Sequence, residues 1–351
     1  MKKKNLLLQQ VSVLMILTMT FMVSCNLGTK SKETDATEDT EVEAVADFQI
    51  SLAQWSLHRT YFGEGVSDYQ EFTRMLKVDP DSVLQGVLDP MDFPKVAAGY
   101  GIYSIELVNT FYFSKVNDEA YWTEFKKKCD EAGVTVGLIM CDGLGNLSEA
   151  DPEARMKIVE NHYAWVDIAK FLGAHSIRVN TTGEGIVFNA TGEGTPEKVA
   201  ANTVDGLSKL GEYGASKGIN IIAENHGGYS SDGSWLSGVM TEVGMENVGT
   251  LPDFGNFCIE YGPERKYCAK EYDRYKGIEE IMPFAKGVSA KSNEFDEQGN
   301  EVNSDFLRIM KIVKESGFKG YVGIEYEGTV HTEDEGIKAT KALLEKVFQE
   351  I

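Results

Sequence analysis

The strongest constraint on how this chain folds is its regular alternation of short apolar runs with longer amphipathic stretches. Apolar runs fall at 49–55, 103–108, 135–140, 176–180, 220–224, 248–252, 287–290 and 321–325. Helical periodicity falls between them at 119–132, 152–171, 196–217, 306–315 and 333–348. Pro152 and Pro196 stand in first turns, where a missing N–H is no loss, and Gly133, Gly173, Gly218 and Gly317 follow the last turns. Strands separated by whole helices pair in parallel, because a hairpin needs only a tight turn whereas a crossover needs a dozen residues or more. Eight such units predict closure into a (β/α)8 TIM barrel of a single domain, and the chain's 351 residues exceed the roughly 250 such a barrel requires.

The first residues do not fit that repeat. Lys2, Lys3 and Lys4 precede an apolar stretch over 6–22 that ends at Met22-Val23-Ser24-Cys25. A basic start, a short apolar segment and a cysteine at its end predict a lipoprotein signal peptide over 1–25, with Cys25 lipidated. Residues 26–46 are polar, acidic and free of aromatics, and read as a disordered tether. The barrel is then expected over 47–351, exported and held by lipid at the periplasmic face of a bacterial membrane. Net charge is −21, which opposes a nucleic-acid partner and makes sugar phosphates poor substrates. Cys129, Cys141, Cys258 and Cys268 form no C-x-x-C pair; they leave room for a disulfide without fixing which residues form it.

Active sites of parallel barrels lie at the C-terminal strand ends. Three short motifs put acids there: A-E-N-H-G-G at 223–228, L-P-D-F-G-N-F at 251–257 and G-I-E-Y-E-G at 323–328. Glu224, Asp253 and Glu325 each end an apolar run, where an isolated charge is costly, so their convergence predicts a shared divalent metal. His226 lies two residues beyond Glu224 and points to the same side of an extended chain, which makes it a further candidate ligand. His58, Asn109, Asp142, Arg178, Asn180, Asn256, Lys291 and Glu327 also end strands or open loops; of these His58, Asn109, Arg178, Asn256 and Lys291 are the expected substrate-binding residues. Trp55, Tyr61 and Phe254 are candidate platforms for a sugar face. His162 and His175 read as structural. The glycine-rich stretch 181–196, with T-G-E-G twice, reads as a lid or surface loop.

With these motifs the chain resembles the xylose isomerase-like barrel superfamily, which includes sugar isomerases, ketose 3-epimerases, inosose dehydratases and endonuclease IV. The resemblance covers about 48–351 and is strongest in the second half. It implies that Glu224, Asp253 and Glu325 are metal ligands and that Glu224 and Glu325 form an acid–base pair. Two departures stand out. Asn256 occupies the position of the histidine in the family's D-x-G-H, and Ser289 that of the histidine in its V-H-x-K, while Lys291 is kept. Carboxylate and imidazole donors suit Mn, Mg, Co or Zn. The function implied is a metal-dependent isomerase or epimerase acting on a neutral carbohydrate through an ene-diolate. A 3-keto-glycoside lyase using the same site is the alternative, and a non-catalytic carbohydrate-binding lipoprotein is an alternative of another class. The reading leaves room for a homo-oligomer.

Overall fold

The computed structural model describes residues 47–182, 194–263 and 267–351. The expected leader with Cys25, the tether, and the T-G-E-G stretch over 183–193 lie outside the described residues. Eight strands form one parallel sheet: β1 (Phe48–Ala53), β2 (Ser104–Val108), β3 (Thr135–Cys141), β4 (Ser176–Val179), β5 (Asn220–Glu224), β6 (Val248–Leu251), β9 (Val288–Ser292) and β10 (Gly320–Tyr326). Their order is β6-β5-β4-β3-β2-β1-β10-β9, and parallel bridges Thr250↔Ala285 and Asp253↔Ser289 join the two ends into a TIM barrel. β2, β4, β6 and β9 are buried along their whole length, as expected of strands covered on both faces.

The long helices begin and end where the local chemistry dictates. Asp118 caps α4 (Glu119–Ala132) through the N–H of Tyr121, Asp151 caps α5 (Pro152–Leu172) through that of Ala154, and Thr195 caps α6 (Pro196–Lys217) through that of Lys198. Gly133, Gly173 and Gly218 close the same three helices with φ of 66°, 81° and 74°, a conformation that penalises any side chain. α9 (Phe306–Glu315) turns Phe306, Ile309, Met310 and Val313 into the core, and α10 (Glu333–Glu350) opens with a capping box between Thr332 and Glu335. Truncating a buried aliphatic such as Ile309 to alanine is expected to cost about 2–5 kcal/mol.

Two crossovers are more elaborate than the sequence pattern foretold. Between β1 and β2 run α1 (His58–Phe62), α2 (Tyr69–Val78) and α3 (Phe93–Gly99), separated by turns that begin at Gly63, Pro80 and Pro90, so no long helical period accumulates. Between β6 and β9, where the sequence pattern showed only a gap, an antiparallel hairpin of β7 (Cys258–Tyr261) and β8 (Cys268–Glu271) precedes α8 (Arg274–Ile281). A Cys258–Cys268 disulfide joins the hairpin's two strands, with Cα atoms 5.6 Å apart. α7 (Gly233–Val243) completes the helices between β5 and β6. No helix of the described residues is long and apolar enough to cross a membrane.

Candidate active site

Glu224 is the last residue of β5, Asp253 lies two residues beyond β6, and Glu325 is the penultimate residue of β10. All three are buried, and each brings a carboxylate oxygen within 4.8 Å of the other two. Closure of the barrel is what brings them together, since β5, β6, β9 and β10 are consecutive around the ring. Asp253 is fixed by its own loop: its Oδ1 accepts the N–H groups of Gly255 and Asn256, both at 2.8 Å. Asn225 braces the same turn, accepting the Asp253 N–H at 2.7 Å and donating to the Asp253 carbonyl at 3.0 Å. Across the closure, Ser289 Oγ stands 2.7 Å from Asp253 Oδ2 and 3.0 Å from Glu325 Oε2. One hydroxyl has one proton to give, so both contacts are favourable together only when a carboxyl carries a proton, or when a cation replaces it.

Two buried cations face these acids. Arg178 on β4 contacts Asp142 Oδ1 at 2.6 Å, and its Nε lies 2.9 Å from Glu224 Oε2, off the axis a hydrogen bond requires, so that contact is ionic. Lys291 on β9 lies 3.4 Å from Glu325 and 3.3 Å from Glu327. Asn256 donates to Glu224 Oε1 at 2.9 Å, and Trp55 donates its indole N–H to Glu327 at 2.6 Å. Burial raises the carboxyls of Glu224, Asp253 and Glu325, and neither the pull of Arg178 on Glu224 nor that of Lys291 on all three undoes it; Glu325 is pushed up to about 8. For Glu327 the attraction of Lys291 and His58 outweighs burial and holds the carboxyl below its ordinary value. Burial and the nearby Arg178 bring the His226 imidazole down to about 4, so it is neutral. Its Nδ1 lies 3.0 Å from Asn180 Oδ1.

Below the acids lies a polar layer. Ser51, Gly323 and Ser289 pair in register across β1, β10 and β9. Glu106, midway along β2, projects over Gly323 and accepts the Ser51 hydroxyl at 2.5 Å. A side chain at Gly323 would put its Cβ 2.4 Å from Glu106 Oε1, so it would have to push the buried carboxyl aside. Burial, reinforced by Glu224, lifts the Glu106 carboxyl to about 7. Above the acids opens a cleft of about 780 Å³. One side presents Asp142, Arg178, His226, Asn256, Lys291, Glu325 and Glu327; the other presents Trp55, Tyr69, Phe72, Leu76 and Phe113.

A family model described as the xylose isomerase-like TIM barrel matches residues 94–347, well over half the chain. This protein belongs to the xylose isomerase-like TIM barrel family. Solved structures agree at the level of fold. The IOLI protein with a bound zinc atom matches with a TM-score of 0.61 at 13% identity, covering 86% of this chain and 98% of that one. The 3-keto-D-glucoside 4-epimerase YcjR of E. coli matches with a TM-score of 0.58 at 14% identity, covering 74% and 95%. A xylose isomerase-like protein from Mycobacterium smegmatis in complex with magnesium matches with a TM-score of 0.57 at 14% identity, covering 86% and 97%. No curated protein matches by sequence.

This xylose isomerase-like barrel brings together most of the residues expected to act. Glu224, Asp253 and Glu325 cluster, with Arg178, Asn256 and Lys291 in contact with them. His226 lines the cleft but stands outside the three-acid cluster. Asn109 is wholly buried, donates to the Asp142 carbonyl at 2.9 Å and accepts the Asp142 N–H at 2.8 Å, so it pins the β3 loop. His58 stacks on Trp55 with ring centroids 4.9 Å apart and its Nδ1 2.8 Å from the Trp55 carbonyl, behind the cleft wall. Of the candidate platforms Trp55 lines the cleft, whereas Tyr61 and Phe254 are fully buried. Ser51, Glu106 and Asn225 were not expected. A lone acid inside the apolar strand S-I-E-L-V was the available sign for Glu106, whose alternation points it into the barrel. The donor set fits a hard divalent cation: three convergent buried carboxylates that Arg178 and Lys291 neutralise only in part.

Proposed function

We propose that this protein is a metal-dependent enzyme that removes a proton next to a sugar carbonyl and returns it elsewhere, as an isomerase or epimerase of neutral carbohydrates. The observation that carries the reading is the buried convergence of Glu224, Asp253 and Glu325 at the mouth of the barrel, flanked by Arg178 and Lys291. A divalent cation held by those three acids would polarise a substrate carbonyl and acidify the adjacent C–H. Glu325, a buried carboxylate at the cleft surface held by Lys291, is the base. Glu224, oriented by Asn256 and Arg178, is its counterpart, returning a proton to the other face of the carbon or to its neighbour. Lys291 holds Glu325 and presents its ammonium to substrate oxygens at the cleft surface.

Neighbours named as a 3-keto-D-glucoside 4-epimerase and as a D-psicose 3-epimerase solved with D-tagatose support the chemistry. The net charge of −21 favours an uncharged sugar over a phosphorylated one. The leader ending at Cys25 and the Cys258–Cys268 disulfide support an exported, lipid-anchored protein, since disulfides persist in oxidising compartments.

The test is solvent exchange. The protein loaded with Mg or Zn is incubated in deuterated water with ketoses and 3-keto-glycosides and followed by NMR. Deuterium entering beside the carbonyl in the wild type, and absent in Glu224→Gln and Glu325→Gln, is the expected result. Release of an aglycone under the same conditions would make the protein a lyase. Sugar binding with no exchange and no product would overturn the enzymatic reading in favour of a binding lipoprotein.

A further inference from the structure

The cleft is two-sided in its chemistry. From the loop after β3 round to β10, Asp142, Arg178, His226, Asn256, Lys291, Glu325 and Glu327 are all charged or hydrogen-bonding, and suit a polyhydroxylated ring. The opposite side is built by Trp55, Tyr69, Phe72, Leu76 and Phe113. Trp55 suffices to stack on the apolar face of one sugar ring, and the four further apolar side chains offer more surface than that face covers. The volume of about 780 Å³ is also in the upper part of the range of about 300–1,000 Å³ that encloses drug-sized ligands.

The apolar wall is built rather than incidental. Tyr69 and Phe72 lie 6.1 Å apart, Phe72 packs edge-on against Phe62 at 4.9 Å, and Phe62 stacks on Phe111 at 4.7 Å. The wall therefore has an aromatic backing that fixes its shape. Tyr69 keeps 45% of its surface exposed at the rim. Trp55 is the junction: its ring joins the apolar wall, and its N–H holds Glu327, which pairs with Lys291, which pairs with Glu325. A ligand spanning Trp55 would touch both chemistries at once. Thr73 and Lys77 are the polar members on α2.

We propose that this wall is a subsite for a flat apolar aglycone, and that the substrate class is an aryl glycoside whose sugar sits at the acid cluster. The proposal rests on the sugar-carbonyl reading and adds to it the part of the substrate that does not react. Burial of a phenyl ring against these side chains makes a phenyl glycoside bind about ten-fold or more tightly than the methyl glycoside of the same sugar.

Calorimetry on the full chain loaded with Mg tests it, using phenyl and methyl β-D-glucosides and their 3-keto forms as matched pairs. The expected result is a preference for phenyl of about ten-fold or more, reduced in Tyr69→Ser and abolished in Thr73→Trp, whose indole would occupy the subsite. Equal affinity for the two members of each pair overturns the proposal, and so does failure of both to bind, because the apolar wall should capture the aryl group. Solvent exchange separates the two readings. A phenyl preference without exchange refutes the chemistry and keeps the subsite; exchange without a phenyl preference refutes the subsite alone.

Discussion

Two sectors of the barrel face each other across the cleft, and the sequence announces them very differently. The sector of β5, β6, β9 and β10 carries Glu224, Asp253, Ser289, Lys291 and Glu325 within its strands or directly after them. The sector of β1, β2 and β3 carries its cleft surface largely on the segments between its strands: Trp55, helix α2 and Phe113. In the first sector strand geometry alone aims each side chain, so a few residues of motif are enough to locate it. In the second, three short helices with no long period must fold before the wall exists. On the proposed reading, chemistry would reside in the strand-borne sector, and the inserted sector would set what the chemistry is offered.

Substitutions should separate the sectors. The largest effect is expected from Glu325→Gln or Glu224→Gln, which remove a proton-transferring group and should lower the rate of solvent exchange by about 10²–10⁴-fold, read by NMR. Phe113→Ser, in the other sector, should instead raise KM for a glycoside while kcat changes little; a loss of kcat comparable to that of Glu325→Gln would show that the sectors are not separable.

Acidity gives a second handle. The metal-free protein holds Glu325 and Glu106 with proton affinities raised to about 8 and about 7, so the folded state binds more protons than the unfolded chain near neutrality. Its stability is therefore present at low pH within that range and is lost as pH rises through those values. Below about 6.5 the neutral buried His162 and His226 act in the opposite sense, so the clean window is about pH 7 to 8.5. Thermal melts with chelator should fall across that window. Added Mg or Zn should raise the melting temperature, and by more at the alkaline end, because the ligands must be deprotonated to bind. A metal effect independent of pH would argue that the cation binds elsewhere.

A smaller effect is expected at Gly323→Ala, where the new Cβ meets the Glu106 carboxyl and should cost about 1–3 kcal/mol in denaturant unfolding. Glu106→Ala in the same background should recover part of that loss. Smallest of all, Tyr69→Ser at the rim, where the ring is 45% exposed and lies 6.1 Å from that of Phe72, should cost about 0.5–1 kcal/mol in the same unfolding measurement.

The barrel and its acid cluster were legible because both follow from periodicities: 2.0 along strands, 3.6 along helices, and an acid where each apolar run ends. Residues whose role depends on a neighbour's shape were not. Nothing in the sequence around Asn109 distinguishes a substrate contact from the brace it forms with the Asp142 backbone. His58 likewise reads as a strand-end donor until the chain folds it behind Trp55. Glu106 and Gly323 depend on each other across more than two hundred residues, a relation that no local pattern encodes. The Cys258–Cys268 hairpin interrupts the strand–helix rhythm and so had no place in it.

The sheet closes between β6 and β9 on few backbone bonds: Lys286 N–H to Thr250 O, Ser289 N–H to Pro252 O and Phe254 N–H to Ser289 O. Asp253 stands on one side of that seam and Ser289 and Glu325 on the other. The seam of the hoop and the carboxylates that converge for a cation thus coincide. Loading the ion rivets the two edges of the sheet, and its effect should be concentrated at those three amides as slowed hydrogen exchange. On the proposed reading, a barrel sewn shut by its own cofactor would carry a built-in signal of whether it has been filled.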